Sequence, residues 1–209
     1  MKVLLLNGSP RANGCTNTAL TVVAETLQQH GIETEILQIG TAPVRDCVAC
    51  RMCIKNANSR CVFNDDIVNQ IIQKAEECDG FIFGSPVYYA HPSGFVLSVL
   101  DRVFFAGSSA FRHKPGAAVV SARRGGTTAS LDVLNKYFTL SQMPVVSSSY
   151  WNMVHGTTPQ EVLEDAEGVN IMKNLAHNMA WLLECINAAK EQGIQPPQNS
   201  TNIRTNFIR

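Results

Sequence analysis

The chain has 209 residues, and its 17 Lys and Arg balance its 17 Asp and Glu to a formal net charge of zero. That length suits one domain of roughly 100–200 residues with room for an appended arm, and a composition 45% hydrophobic and 16% charged can bury a sizeable core. The balance argues against a nucleic-acid binder, which needs a basic surface, and weighs against a strongly acidic electron carrier.

Residues 3–6 form a continuous apolar run ended by Asn7-Gly8-Ser9-Pro10, the pattern of a strand buried on both faces. Residues 16–30 carry Ala19, Leu20, Val23, Ala24 and Leu27 at helical spacing, with Gly31 at the C-cap position. Residues 34–39 read as a second strand. Asp65 and Asp66 can cap a helix bearing Ile67, Ile71, Ile72 and Ala75, their charge being favourable at its N-terminus. Residues 81–83 are a third strand, 93–105 a helix, 117–121 a fourth strand, 127–140 a helix and 144–149 a fifth strand. A long final helix is predicted over 165–192. Five strands alternating with helices imply an α/β fold, a doubly wound parallel sheet covered on both faces. At this length the flavodoxin-like order 2-1-3-4-5 is expected, a three-layer sandwich whose ligand sits at the carboxyl ends of the first and third strands.

Loops after the strands therefore carry the candidate site. Asn7 to Thr16 is rich in small residues and hydroxyls and leads into a helix. It can aim backbone N–H groups at a phosphate, with Ser9, Arg11 and Thr16 as further donors. It matches neither the Gly-x-Gly-x-x-Gly fingerprint nor a Walker loop, and a plain strand-to-helix turn is the alternative. Gly84-Ser85-Pro86-Val87-Tyr88-Tyr89-Ala90 can supply backbone hydrogen bonds and an aromatic wall to a planar ring, unless one tyrosine packs into the core. Arg123-Arg124-Gly125-Gly126 permits close backbone approach, although its arginines can equally be a solvated pair. Trp151 and His155 follow the fifth strand and are candidates for lining the pocket.

Four of the seven cysteines form Cys47-x2-Cys50-x2-Cys53-x7-Cys61, which can gather four thiolates about one centre. Such ligation suits an iron–sulfur cluster or zinc, and a disulfide or free thiols stay open. Cys78 and Cys185 read as buried apolar residues within helical segments. No run reaches the ~18–20 apolar residues that span a bilayer. Residues 1–7 are too short in their apolar part for a secretory signal, which needs about 7–15. A soluble, cytoplasmic protein without nucleic-acid or membrane partners is expected.

Gly8-Ser9-Pro10-Arg11, Gly84-Ser85-Pro86-Val87-Tyr88 and Leu100-Asp101-Arg102 together resemble the NAD(P)H-dependent FMN reductase family of flavodoxin-like proteins. The cysteine segment followed by Asp65-Asp66 is similar to its iron–sulfur flavoprotein branch. The resemblance, from residue 1 to about residue 191, implies a bound FMN whose phosphate meets Ser9, Arg11, Asn13, Gly14, Cys15 and Thr16. The ring would rest on Ser85, Pro86, Val87, Tyr88 and Tyr89, with Ser121, Arg123, Arg124, Gly125 and Gly126 near its pyrimidine edge. It implies hydride from NAD(P)H to the flavin, with electrons leaving to an acceptor, so no side chain need be a catalytic nucleophile. It also implies a homodimer or homotetramer, and a 4Fe–4S cluster on Cys47, Cys50, Cys53 and Cys61. An electron carrier exchanging with ferredoxin-like partners is the second reading, and a flavin-free sensor or scaffold the third. The expected organisation is a flavodoxin-like domain over 1–191, with the cysteine-rich insertion 47–61 after strand two, and a C-terminal arm 192–209. That arm is expected to be polar until Phe207 and Ile208, which would dock on the chain's own sheet or on a neighbouring subunit.

Overall fold

Alternation decides the layers. In a computed structural model describing residues 1–200, Ile203 and 205–207, strand β1 (Lys2–Asn7) sends Leu4 and Leu6 into one core and Val3 and Leu5 into the other. Successive side chains of a strand point to opposite faces, so an unbroken apolar run serves a sheet covered on both sides. Strand β3 (Gly80–Tyr88) does likewise, with Phe81 and Phe83 on one face and Ile82 on the other. Strand β5 (Gly116–Ala122) divides Ala118 and Val120 from Ala117 and Val119.

The strands run in the order β2-β1-β3-β5-β6, where β2 is Glu33–Gln38 and β6 is Met153–His155. All pairings along this path are parallel. A two-residue strand β4 (His91–Pro92) folds back antiparallel on the end of β3. Allowing for that hairpin, this is the expected flavodoxin-like order. One face is covered by α1 (Cys15–Gln29), α6 (Pro159–Glu164) and α7 (Ala166–Glu191). The other carries α3 (Val68–Glu76), α4 (Gly94–Gly107) and α5 (Thr127–Leu140). Between sheet and α4 the core is aromatic, with Phe81–Phe111 and Phe104–Phe111 ring centroids 4.6 and 4.7 Å apart. A one-and-a-half-turn helix α2 (Met52–Asn56) lies within the cysteine segment.

The fifth strand differs from expectation. Residues 144–149 do not form a strand: Val145 makes one isolated bridge to Gly116, and the chain then leaves the sheet. It re-enters at Asn152, whose carbonyl accepts from Val120 N at 3.0 Å, and β6 follows. The cause is the run Ser147-Ser148-Ser149, whose polar atoms bond elsewhere than to the ladder. Ser148 Oγ accepts from Tyr150 N at 3.3 Å, while Asn178 and Asn174 of α7 donate to Ser147 O and Ser149 Oγ, each at 2.8 Å. Helix α6 was not expected either. Its signal is Thr158-Pro159 followed by Glu161, with Thr158 Oγ1 accepting from Glu161 N at 3.2 Å.

Cys78 is buried, in the turn after α3, but Cys185 faces solvent from α7 and is no core residue. The arm beyond α7 touches the body where Asn199 Nδ2 donates to Gln142 Oε1 at 2.8 Å. Phe207 is 94% exposed and so does not dock on this chain; Ile208 lies outside the described residues.

Candidate functional site

The loops at the carboxyl ends of β1, β3, β5 and β6 meet. Gly8 N donates to Gly84 O at 2.9 Å, and a Cβ on Gly8 would stand 2.6 Å from that oxygen. Only glycine lets these two strand ends approach so closely. Buried Asn7 then shapes the loop: its Oδ1 accepts from Ser9 N at 3.1 Å, and its Nδ2 donates to Ala12 O at 3.3 Å and to Gln38 Oε1 at 2.5 Å. Gln38 Nε2 donates to Ser9 O at 2.6 Å, and Ser9 Oγ accepts from Arg11 N at 3.1 Å. Asn7 and Gln38 are supporting residues that sequence reasoning missed; a buried amide at the last position of an apolar strand was the available signal.

Helix α1 begins at Cys15 with Gly14 as N-cap and no side-chain cap. Its first turn therefore keeps its partial positive charge turned to whatever occupies the loop. Thr16 Oγ1 is 2.8 Å from Ser121 Oγ at the end of β5, both buried, so the β1 and β5 loops meet at these hydroxyls. The Cys15 thiol donates to Gly156 O at 3.6 Å, joining the β6 loop, and burial pushes this thiol up from its ordinary pKa. Arg11 and Asn13 are exposed at the loop's rim, as are Arg123, Arg124 and Gly125.

The segment after Gly84 is strand as far as Tyr88 rather than loop, with Pro86 opposite Ser121 in the register. Buried Ser85 Oγ donates to Pro86 O at 2.8 Å and accepts from Ser93 N at 3.1 Å. Ser93 Oγ in turn donates to Gly8 O at 3.2 Å and caps α4 at Val96 N. The turn is made by Tyr89 and Ala90, both at positive φ (48° and 64°). Neither tyrosine packs into the core: Tyr88 is half exposed and Tyr89 is 99% exposed. Gly126, at φ +93°, lies against this turn, and a Cβ there would stand 2.6 Å from Ala90 Cα. Trp151 is exposed and edge-on to Tyr150, while His155 belongs to β6 rather than to a loop, its N–H donating to Asp165 Oδ2 at 2.7 Å.

The four clustered cysteines form a second feature, on the flank of α4. Cys47, Cys50, Cys53 and Cys61 all line one cavity of about 20 Å³, bounded by Arg102, Phe105 and Ala106 of α4. Among the described residues, no three Cys, His, Asp or Glu converge closely enough to hold a metal ion as they stand. The donor set nonetheless suits an iron–sulfur cluster, being thiol-only and shared by one cavity. Burial pushes the Cys53 thiol up, with Cys61 and Cys50 adding to the rise. Four non-glycine residues around α2, namely Ala49, Arg51, Ala57 and Ser59, have φ between 50° and 58°. Each such residue costs on the order of 1–3 kcal/mol, so this loop has a conformation that a bound group would help to hold.

Residues 1–158 match the family model described as NADPH-dependent FMN reductase. The chain belongs to this family. Its relatives place it in the iron–sulfur flavoprotein branch. An iron–sulfur flavoprotein of Methanocaldococcus jannaschii is 29% identical over 198 residues, covering 89% of this chain and 99% of the relative. One from Archaeoglobus fulgidus is 30% identical over 177 residues, covering 83% and 86%. At the level of fold, a flavodoxin from the domain Archaea aligns with a TM-score of 0.59 at 12% identity, over 88% of this chain and 99% of that one. This FMN reductase family member is thus an FMN-dependent oxidoreductase on a flavodoxin-like fold. No helix among the described residues is long and apolar enough to cross a membrane.

Proposed function

We propose that the chain is a cytoplasmic oxidoreductase that takes hydride from NAD(P)H onto FMN and passes electrons to an acceptor, with a 4Fe–4S cluster on Cys47, Cys50, Cys53 and Cys61. The observation that carries the flavin site is the meeting of four loops at one end of the sheet, drawn together by Thr16 and Ser121 at 2.8 Å and by Gly8 and Gly84 at 2.9 Å. Bound FMN would supply the exchange between a two-electron donor and one-electron acceptors, and the protein supplies position and electrostatics. The uncapped first turn of α1, with Ser9, Arg11, Asn13, Gly14, Cys15 and Thr16, holds the phosphate. Ser85, Pro86, Val87, Tyr88 and Tyr89 flank the ring. Ser121 and the stretch Arg123, Arg124, Gly125 and Gly126 stand at its pyrimidine edge. Exposed Tyr89 and Trp151, with His155, line the open side where a nicotinamide stacks. Domain 1–191 carries both centres, and the working assembly is a homodimer or homotetramer.

A second reading, an electron carrier fed by ferredoxin-like partners, is favoured by the thiol-lined cavity. Anaerobic stopped-flow absorbance separates the two. Bleaching of the flavin by NADPH or NADH within seconds is the expected result. Failure of both nicotinamides, with rapid reduction by a reduced ferredoxin, would leave the carrier reading in its place.

A further inference from the structure

Arg102 heads the fully buried side chains by size, at 1% exposure. A buried guanidinium is costly unless its charge is paired and its donors are satisfied. Here it is paired with Asp66 through Nη1, and its other hydrogen bonds all go to the cysteine segment and the residues that flank it. Nη1 also donates to Arg45 O at 3.2 Å, Nη2 to Phe63 O at 3.2 Å, and Nε to Cys61 Sγ at 3.3 Å. One planar fork on α4 thus grips the segment before its first cysteine, at its last cysteine and just beyond it. The same side chain lines the cavity that the four thiols share.

The spacing explains why such a grip is needed. Cys47, Cys50 and Cys53 are near neighbours in sequence, but Cys61 is separated by seven residues. Those residues include Ala57 and Ser59 at positive φ. The fourth ligand must be brought to the other three against the strain and entropy of that connection.

We propose that Arg102 is the positioning residue of the cysteine segment, holding Cys61 against α4 with its sulfur at the cavity lined by Cys47, Cys50 and Cys53, so that the last of the four ligands is held in place for the 4Fe–4S cluster. The inference rests on the reading that this segment carries a cluster. A partner that orients a ligand commonly governs metal affinity by about 10–100-fold, and Arg102 stands in that relation to Cys61. Its N–H on a ligand sulfur also sets the potential, since hydrogen bonds to cluster sulfurs are among the groups that tune it.

The test compares the full chain with Arg102→Lys, Arg102→Met and the double variant Arg102→Met/Asp66→Leu, which leaves no unpaired buried carboxylate. FMN content serves as the check that each is folded. Three readouts are taken: hydrogen exchange of amides 45–66 without iron, iron and sulfide per chain after anaerobic reconstitution, and the midpoint potential of any cluster formed. Arg102→Lys keeps the charge near Asp66 but cannot supply the fork, so it should stay folded yet exchange faster over 45–66. Its affinity for the cluster should fall about tenfold or more, with a lowered potential in whatever cluster remains. Wild-type exchange and wild-type iron in both Arg102→Lys and the double variant would overturn the proposal. If the unaltered chain takes up no iron, the cluster reading fails, and the exchange rates alone decide whether Arg102 holds the segment.

Discussion

Gly126 shows how a single residue couples two loops of the proposed flavin site. Its φ of +93° lies in the left-handed region, and a Cβ there would press to 2.6 Å from Ala90 Cα and 2.8 Å from Val87 Cγ1. Neighbouring Gly125 meets nothing within 4 Å and so provides an internal comparison. Gly126→Ala is therefore expected to cost about 1–3 kcal/mol in backbone strain and to push the turn after β3 away from the β5 loop. FMN affinity should fall by about tenfold, equivalent to ~1.4 kcal/mol, whereas Gly125→Ala should bind nearly as the unaltered chain does. Titration of apoprotein with FMN by fluorescence quenching checks this, and equal affinities would remove Gly126 from the site. The glycine pair was visible in the sequence as a place of close approach. Which of the two is constrained was not, because that depends on where Ala90 lies, 36 residues earlier in the chain.

At the scale of elements, α4 joins the two proposed sites: its N-cap Ser93 bonds Gly8 O in the loop after β1, and its third turn carries Asp101 and Arg102 to the flank of the cysteine segment. Half-buried Asp101 accepts from Tyr137 of α5. Burial pushes its carboxyl up from the ordinary value, and Asp46 adds to the rise against the opposing Tyr137 hydrogen bond. Tyr137 is itself held well above its usual range by burial and by Asp101. A carboxyl raised in the folded state contributes stability that is fully present below its unfolded pKa, about 3.9. That contribution is lost as pH rises through the folded value. Asp46→Asn removes the like charge, so it should raise the urea midpoint at pH 7 more than at pH 4; an equal change at both would show that the two carboxyls do not interact. Apart from α2 and α6, the helices were legible from apolar spacing, the 127–140 helix to its ends, as were the first four strands expected (β1, β2, β3 and β5); the cap expected of Asp65 and Asp66 was not, since the N-cap of α3 is Ile67, whose side chain makes no cap bond. The fifth strand was not, because its β-like composition includes three serines whose partners lie on α7 and in a local turn, which spacing cannot reveal.

Across the whole molecule, the alternating faces of β1, β3 and β5 build two cores and leave the strand ends free to carry chemistry. The order β2-β1-β3-β5-β6 reverses direction between β1 and β3, where the Gly8 and Gly84 backbones touch; ligands of doubly wound sheets sit in such a crevice. The cysteine cavity stands apart on the α4 flank. From sequence, its four thiols could be grouped but not placed, since the residue that bonds the last of them, Arg102, lies 41 positions beyond Cys61. One flavin site and one thiol site on a single chain is the central reading, and the absorption spectrum of protein purified without oxygen, read with its flavin and iron content, tests both together. Flavin bands over a broad iron–sulfur absorbance, with one FMN and about four irons per chain, are the predicted result. Colourless protein that rejects added FMN, or flavin-loaded protein holding less than about a tenth of an iron per chain after reconstitution, would contradict it.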